Sequence, residues 1–171
     1  MQVIEGVEIV DGVEMFRISS VDDMDPFLMT VVGNSDLWMF VSSTGGLTAG
    51  RVEARNCIFP YETDDRLHHL AGRVGPATLL RIGGRVWEPF GASTGVERSI
   101  LKSTLGHAVV FEEHHRSLGL TIRARWAPSD RFGWVRTVWL SNPTDGRPVT
   151  VEVVDGLLDV KPWGVGVPFQ Q

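Results

Sequence analysis

The residues of this chain best suited to chemistry are five histidines and a set of closely spaced acids. His68-His69 and His114-His115 carry the side chains of metal ligands. Neighbours along a strand point to opposite faces, and neighbours on a helix diverge by about 100°. Neither pair therefore chelates one ion by itself. A site needs one imidazole from each pair, and solvated or hydrogen-bonded histidines are the simpler reading. Glycoside chemistry places two carboxyls about 5 to 10 Å apart across a bond. Glu112-Glu113 does not meet that requirement, because adjacent strand residues face oppositely. Asp22, Asp23 and Asp25 precede Pro26, where aspartates typically cap the amides of a turn. Glu113 and His115, two residues apart on one strand face, are the remaining acid–base neighbours. The sequence holds no G-x-S-x-G, Walker loop, H-E-x-x-H or G-x-G-x-x-G. Thr44 to Arg51 is glycine-rich but lacks the Lys-Ser/Thr of a phosphate cradle. The expectation from these patterns is a chain with no metal and no cofactor of its own.

Six tryptophans offer a different chemistry, since flat apolar faces are what sugar rings stack on. Trp126, Trp134 and Trp139 fall at strand positions and read as core. Trp38, Trp87 and Trp163 lie nearer loops and ends and are the better candidates for exposed platforms.

The chain that must position these groups has 171 residues, enough for one core without staples. It is 43% apolar and 22% charged, ordinary globular values. A net charge of -5 gives no basic footprint, which argues against nucleic acid as a partner. Cys57 is the single cysteine, so no intrachain disulfide forms and a CxxC site is excluded. The first residues, MQVIEGVEIVDGVEMF, lack a basic segment followed by an apolar one, and no window approaches 18 consecutive apolar residues. A cytoplasmic protein without membrane contact is expected. The last residues, KPWGVGVPFQQ, are apolar and uncharged after Lys161, unlike a solvated tail, which suggests a fragment of a longer protein.

Turn signals divide the sequence into short strands. Asp11-Gly12, Gly33 to Asp36 and Gly83-Gly84 each separate two apolar runs and read as hairpins. After Val96, ERSILKSTL, AVVFEEHHR, LTIRARWAP, WVRTVWLSN and VTVEVVDGLLDV follow with turns between them. This spacing is that of an antiparallel sandwich or barrel. Leu120 to Trp126 alternates Leu, Ile, Ala, Trp with Thr, Arg, Arg, predicting one buried face. Trp134 to Leu140 is apolar on both faces and calls for cover on both sides. Helix is nearly absent; Asp64 to Leu70 is the best candidate, with Asp64 and Asp65 at its start and Gly72 beyond it. Residues 42 to 67, SSTGGLTAGRVEARNCIFPYETDDRL, read as one long polar loop. Such a loop in a compact domain is usually functional. Thr48, Arg51, Asn56, Tyr61 and Asp64 are its candidate ligand-binding residues, facing a sugar or a neighbouring domain. The alternative is that Arg51 pairs with Asp64 or Asp65 and merely ties the loop down.

The order FLMTVVGNSDLWMFVSSTGGLTAGR, then NCIFPYETDD, then strands ending in VWLSNPTDGRPVTVEVVDGLLDVKPWGV resembles the N-terminal region of large cytoplasmic cellobiose phosphorylase-like proteins. The resemblance runs from about Asp25 to Phe169. It implies an all-β fold, an antiparallel β-supersandwich of the galactose mutarotase-like kind, as a single domain over 1–171. In those proteins the catalytic acid belongs to a following (α/α)6 barrel, so no catalytic residue carries over. What the resemblance implies for this domain is packing on its own C-terminal barrel, a share in a homodimer interface, and loops reaching the rim of an oligosaccharide site. Three function classes follow: a noncatalytic domain of a phosphorylase or glycoside hydrolase, a free-standing carbohydrate-binding module, and a small mutarotase-like epimerase using Glu113 and His115.

Overall fold

The computed structural model describes residues 4–142 and 148–161. The described residues form three antiparallel sheets, none of them closed. The largest has six strands in the order β1 (Ile4–Val10), β2 (Val13–Ser19), β9 (Val96–Ser103), β10 (Val109–His115), β11 (Leu120–Ser129), β12 (Gly133–Ser141). A four-stranded sheet is a simple meander of β3 (Leu28–Val31), β4 (Leu37–Ser42), β5 (Leu47–Arg51) and β6 (Cys57–Phe59). The third sheet has the order β13 (Val151–Leu158), β7 (Gly75–Ile82), β8 (Arg85–Trp87). One short helix, α1 (Asp64–Leu67), lies where the sequence placed its best helical candidate, though it is a single turn. Among the described residues no helix is long and apolar enough to cross a membrane.

The hairpin turns follow from backbone sterics. Asp11 and Gly12 have φ of 50° and 76°, and Gly83 and Gly84 have 55° and 78°. Positive φ at both central residues is what a tight hairpin of the primed type requires, and Asp-Gly and Gly-Gly supply it at low cost. The strands after Val96 all form, but the last departs from the expected ladder. β13 leaves the β9 to β12 meander and pairs with β7, from Val151 opposite Ile82 to Leu158 opposite Gly75.

Side-chain alternation decides what packs where. On β11, Leu120, Ile122, Ala124 and Trp126 are buried, as their period-two spacing predicts. Ile100, Val109, Phe111 and Trp126 of the six-stranded sheet share one core with Met29, Val31, Met39, Val41, Leu47, Ala49 and Phe59 of the four-stranded sheet. Leu120 and Ile122 share another with Leu80, Ile82 and Trp87 of the three-stranded sheet. The inner face of the large sheet is thus covered by the two smaller sheets. Its outer face carries a smaller buried cluster, with Met15, Leu101 and Val110, and beside it an ionic ladder. Arg17 bridges Glu8 at 2.9 Å and Glu112 at 2.7 Å, Arg123 bonds Glu112, and Arg125 bonds Asp11 at 2.7 Å.

Glu113 is the one acid with no exposed surface among the described residues. It accepts hydrogen bonds from Trp87 Nε1 at 2.7 Å, the Phe90 amide at 2.7 Å and Arg98 Nε at 2.8 Å. Arg98 reaches on to Asp22 at 2.9 Å. The clasp joins β8, the segment after it, β9, β10 and the turn holding Asp22.

Three expectations are corrected by the fold. Residues 42–67 are not one loop: they hold β5, β6, a short 3-10 turn (Ala54–Asn56) and α1. Trp87 is buried, closing the core of the three-stranded sheet while its indole holds Glu113. Trp134 to Trp139 are half-buried on an edge strand rather than covered on both faces. The most exposed apolar strand is β13, where seven of eight residues are exposed. Trp163, the turn at 143–147 and the apolar segment from residue 162 onward lie outside the described residues.

Candidate functional site

A depression among the described residues encloses about 1010 Å³ of empty space, part of it open to solvent. It lies where β6, the β11–β12 hairpin and β13 meet, with Ile58 and Phe59 on one wall and Trp126, Trp134 and Leu157 on the others. Asp36 and Arg51 form one rim, and Asp130, Arg131 and Phe132 form the opposite rim.

Sheet register explains the first rim. Arg51 ends β5 opposite Leu37, the first residue of β4, so its side chain falls beside Asp36. Arg51 Nε and Nη2 donate to Asp36 Oδ1 and Oδ2 at 3.2 and 3.1 Å, a bidentate pair open to solvent. Parallel two-point bonding fixes the guanidinium plane better than a single contact does. The opposite rim comes from the hairpin connection. Phe132 is 70% exposed, and the Arg131 guanidinium carbon sits 5.1 Å from its ring centroid, within cation–π range. Trp134 supplies a further polar group, since its indole Nε1 is buried and has no acceptor among the described residues. A buried donor without a partner costs about 1–3 kcal/mol. Two acids, two arginines, an exposed ring and an unmatched N–H suit a neutral, hydroxyl-rich ligand with apolar ring faces better than an anion.

Of the five residues proposed from sequence, only Arg51 lines this groove. Its partner is Asp36, neither Asp64 nor Asp65. Thr48 is 1% exposed and donates to the Phe59 carbonyl at 3.4 Å, which ties β5 to β6. Tyr61 packs edge-on against Trp38, with centroids 5.8 Å apart. Trp38 and Phe40 point away from the core face that carries Met39 and Val41, so this aromatic cluster lies on the other side of the four-stranded sheet. Trp38 itself is half-buried there. Asn56 is half-buried at the end of the 3-10 turn. Asp64 opens α1 and stands 3.5 Å from His68 Nε2. The five do not converge. Asp36, Phe132 and Trp134 were missed; an aromatic set inside a three-residue connector, Asp130-Arg131-Phe132, was the available signal.

The other chemical candidates resolve into structural ties. His68 Nδ1 lies 2.7 Å from Ser42 Oγ, which with Asp64 gives a serine, histidine and aspartate in a row. Ser42 is fully buried, and its Oγ already accepts from the Thr44 amide at 3.0 Å, so no substrate reaches it as a nucleophile. The row fastens α1 to the β4–β5 turn. His114 bonds Thr121 at 3.0 Å and His115 packs edge-on against Trp87. Among the described residues no three His, Cys, Asp or Glu side chains gather around a possible metal position. Glu113 shares its face with His115, but its two oxygens are taken by three donors. No protein-family model matches the chain, and comparison with curated proteins finds no match.

Proposed function

We propose that this chain is a noncatalytic β-sandwich domain, of the supersandwich kind, belonging to a cytoplasmic carbohydrate-active enzyme of the glycan phosphorylase or glycoside hydrolase type. It packs on a helical (α/α)6 barrel of the same protein and helps hold the sugar. The observation that carries this reading is β13. Val153 and Leu157 pair with the residues of β7 that face the core, while Val154 and Leu158 pair with the opposite face, and all four are exposed, at 57%, 50%, 67% and 38%. A strand apolar and uncovered on both faces is a contact surface waiting for another body. Leu79 of β7 and Val86 of β8 extend the same apolar surface. Leu157 also lines the groove beside Arg51 and Trp134, so a module seated on β13 would roof the groove, and sugar sites favour such domain boundaries.

The test is amide hydrogen exchange on two polypeptides, residues 1–171 and the product of the complete reading frame. The expected result is a longer frame that encodes helical repeats, with β13 amides exchanging at least tenfold more slowly in it than in 1–171. Equal exchange in both, or a frame that ends at 171, removes the reading. A free-standing carbohydrate-binding module is the second reading, supported by the unmatched Trp134 indole. It requires that cellotetraose quench the tryptophan fluorescence of 1–171 saturably, and that Trp134→Phe abolish the response.

A further inference from the structure

Only two of the 16 lysines and arginines are lysines, Lys102 and Lys161. Lys161 Nζ bonds Asp159 Oδ1 at 2.7 Å. Lys102 has no carboxylate partner among the described residues. It lies on β9 on the same side of the sheet as Ile100, with Phe16 of β2 directly across on one flank and fully buried Val109 of β10 on the other. Its Nζ donates to the Gly106 carbonyl at 2.7 Å. That carbonyl also accepts from the Val32 amide at 3.1 Å, where the end of β3 meets the β9–β10 turn. An ammonium carries three donors; this one has a single acceptor, and the acceptor is shared. The acids and the imidazole around it are engaged elsewhere. Glu14 of β2 accepts from Thr104 Oγ1 at 3.4 Å, His107 of the turn has Nδ1 3.5 Å from Ser103 Oγ, and Glu113, the acid of β10 on this side of the sheet, is taken by Arg98. β3 and Val32 bring no charge. Half-buried without a counter-charge, the amine has its pKa pushed below the ordinary lysine value by desolvation.

We propose that Lys102 is a modification site that takes an acetyl group from an acyl phosphate. The neutral nitrogen attacks the carbonyl carbon of acetyl phosphate and a C–N bond forms. The bond from that carbon to the phosphate oxygen breaks, phosphate leaves with the electron pair and a proton from the nitrogen, and an N-acetyl amide remains. Only an unprotonated amine is a nucleophile, so the lysine whose ammonium is least supported reacts first. The product suits the place better than the reactant does. An amide nitrogen offers one N–H to the one carbonyl available, and no charge is left among apolar neighbours. The methyl group finds company as well. A Cβ on Gly106 would lie 3.4 Å from Val32 Cγ2 and 3.8 Å from Lys102 Nζ, which puts the valine and the amine on the same side of the turn. Val32 and Phe16 are both exposed, so the site opens to solvent beside them. The inference holds whether or not the chain binds sugar.

The test incubates the 171-residue chain with acetyl phosphate at pH 7.5 and follows acetylation of Lys102 and Lys161 by mass spectrometry of proteolytic peptides. The expected result is acetylation of Lys102 at least fivefold faster than of Lys161 in the folded chain, and rates within twofold of each other in concentrated urea, where the surroundings are gone. A folded-state ratio below fivefold, or a preference that persists in urea, overturns the inference. Charge is tested separately with Val32→Asp and Val32→Asn, which set side chains of one shape near the amine, only the first with a carboxylate to hold it protonated. Acetylation of Lys102 should be at least threefold slower in Val32→Asp than in Val32→Asn. Equal rates in the two variants, when both keep the tryptophan emission of the parent chain, also overturn it; where either variant unfolds, the parent chain's ratio decides by itself.

Discussion

Replacing Glu113 by glutamine and by alanine separates a structural clasp from an acid–base catalyst. The carboxylate has no exposed surface and holds three donors, with Oε1 on Trp87 and Oε2 shared by Phe90 N and Arg98 Nε. Alanine leaves all three donors unmatched beside a buried guanidinium, and losing one partner of a buried ion pair costs about 3–5 kcal/mol. Glutamine keeps the shape but has one oxygen. Its best placement serves Phe90 and Arg98 and turns the amide NH₂ against Trp87 Nε1–H, one bond lost and the charge removed, for about 2–3 kcal/mol. In a domain of this size each kcal/mol moves Tm by about 2–4 °C, so alanine should lower Tm by about 6–20 °C. Urea unfolding followed by tryptophan fluorescence and by far-UV circular dichroism gives both free energies. The reasoning is refuted if glutamine costs less than about 0.5 kcal/mol. Should that variant also lose an ability to interconvert sugar anomers, Glu113 would be an acid–base group and the mutarotase-like reading would return.

Two further perturbations probe the sheets. Burial alone would raise the Glu112 carboxyl, but hydrogen bonds and charge from Arg17 and Arg123 outweigh it and hold it below its ordinary range. Its stabilising contribution is therefore present above the ordinary glutamate pKa of about 4.3 and is lost as pH falls through the depressed folded value. Glu112→Gln should cost about 1–3 kcal/mol at pH 7 and close to nothing at the acid end of the unfolding curve, read by urea titrations at both pH values. Gly50→Ala should destabilise by about 1–3 kcal/mol or more, because its Cβ would fall 2.4 Å from Trp38 Cζ2 and 2.6 Å from the Asn56 carbonyl. A Tm unchanged within 1 °C would contradict that close approach.

Strand positions were legible wherever alternation and glycine-bearing turns coincided, as at Asp11-Gly12 and along Leu120 to Trp126. β5 escaped because Leu47-Thr48-Ala49-Gly50-Arg51 has low intrinsic strand preference and is small where Trp38 lies across it; pairing with β4 overrides propensity. The move of β13 to β7 was hidden for a different reason. Alternation says which way a side chain faces, and nothing about which strand lies alongside. The burial of Glu113 was equally invisible, since Trp87 and Arg98, 26 and 15 residues away, are what make it tolerable. Of the groove, Arg51 could be named because a charged residue stood among glycines. The unmatched Trp134 indole exists only once β6 and the β11–β12 hairpin are brought together.

The pairing of β2 with β9 and of β13 with β7 sets an order of events during synthesis. The β3 to β6 meander spans residues 28–59 and completes its hydrogen bonding as soon as it leaves the ribosome. The first hairpin, made earliest, must wait some 80 residues of translation for its neighbour, and β7 waits almost as long for β13. Closing such distant segments is slow compared with closing a hairpin. The nascent chain thus carries two unsatisfied strand edges for several seconds at ordinary elongation rates of about 5–20 residues per second, and this interval is where a chaperone would find it.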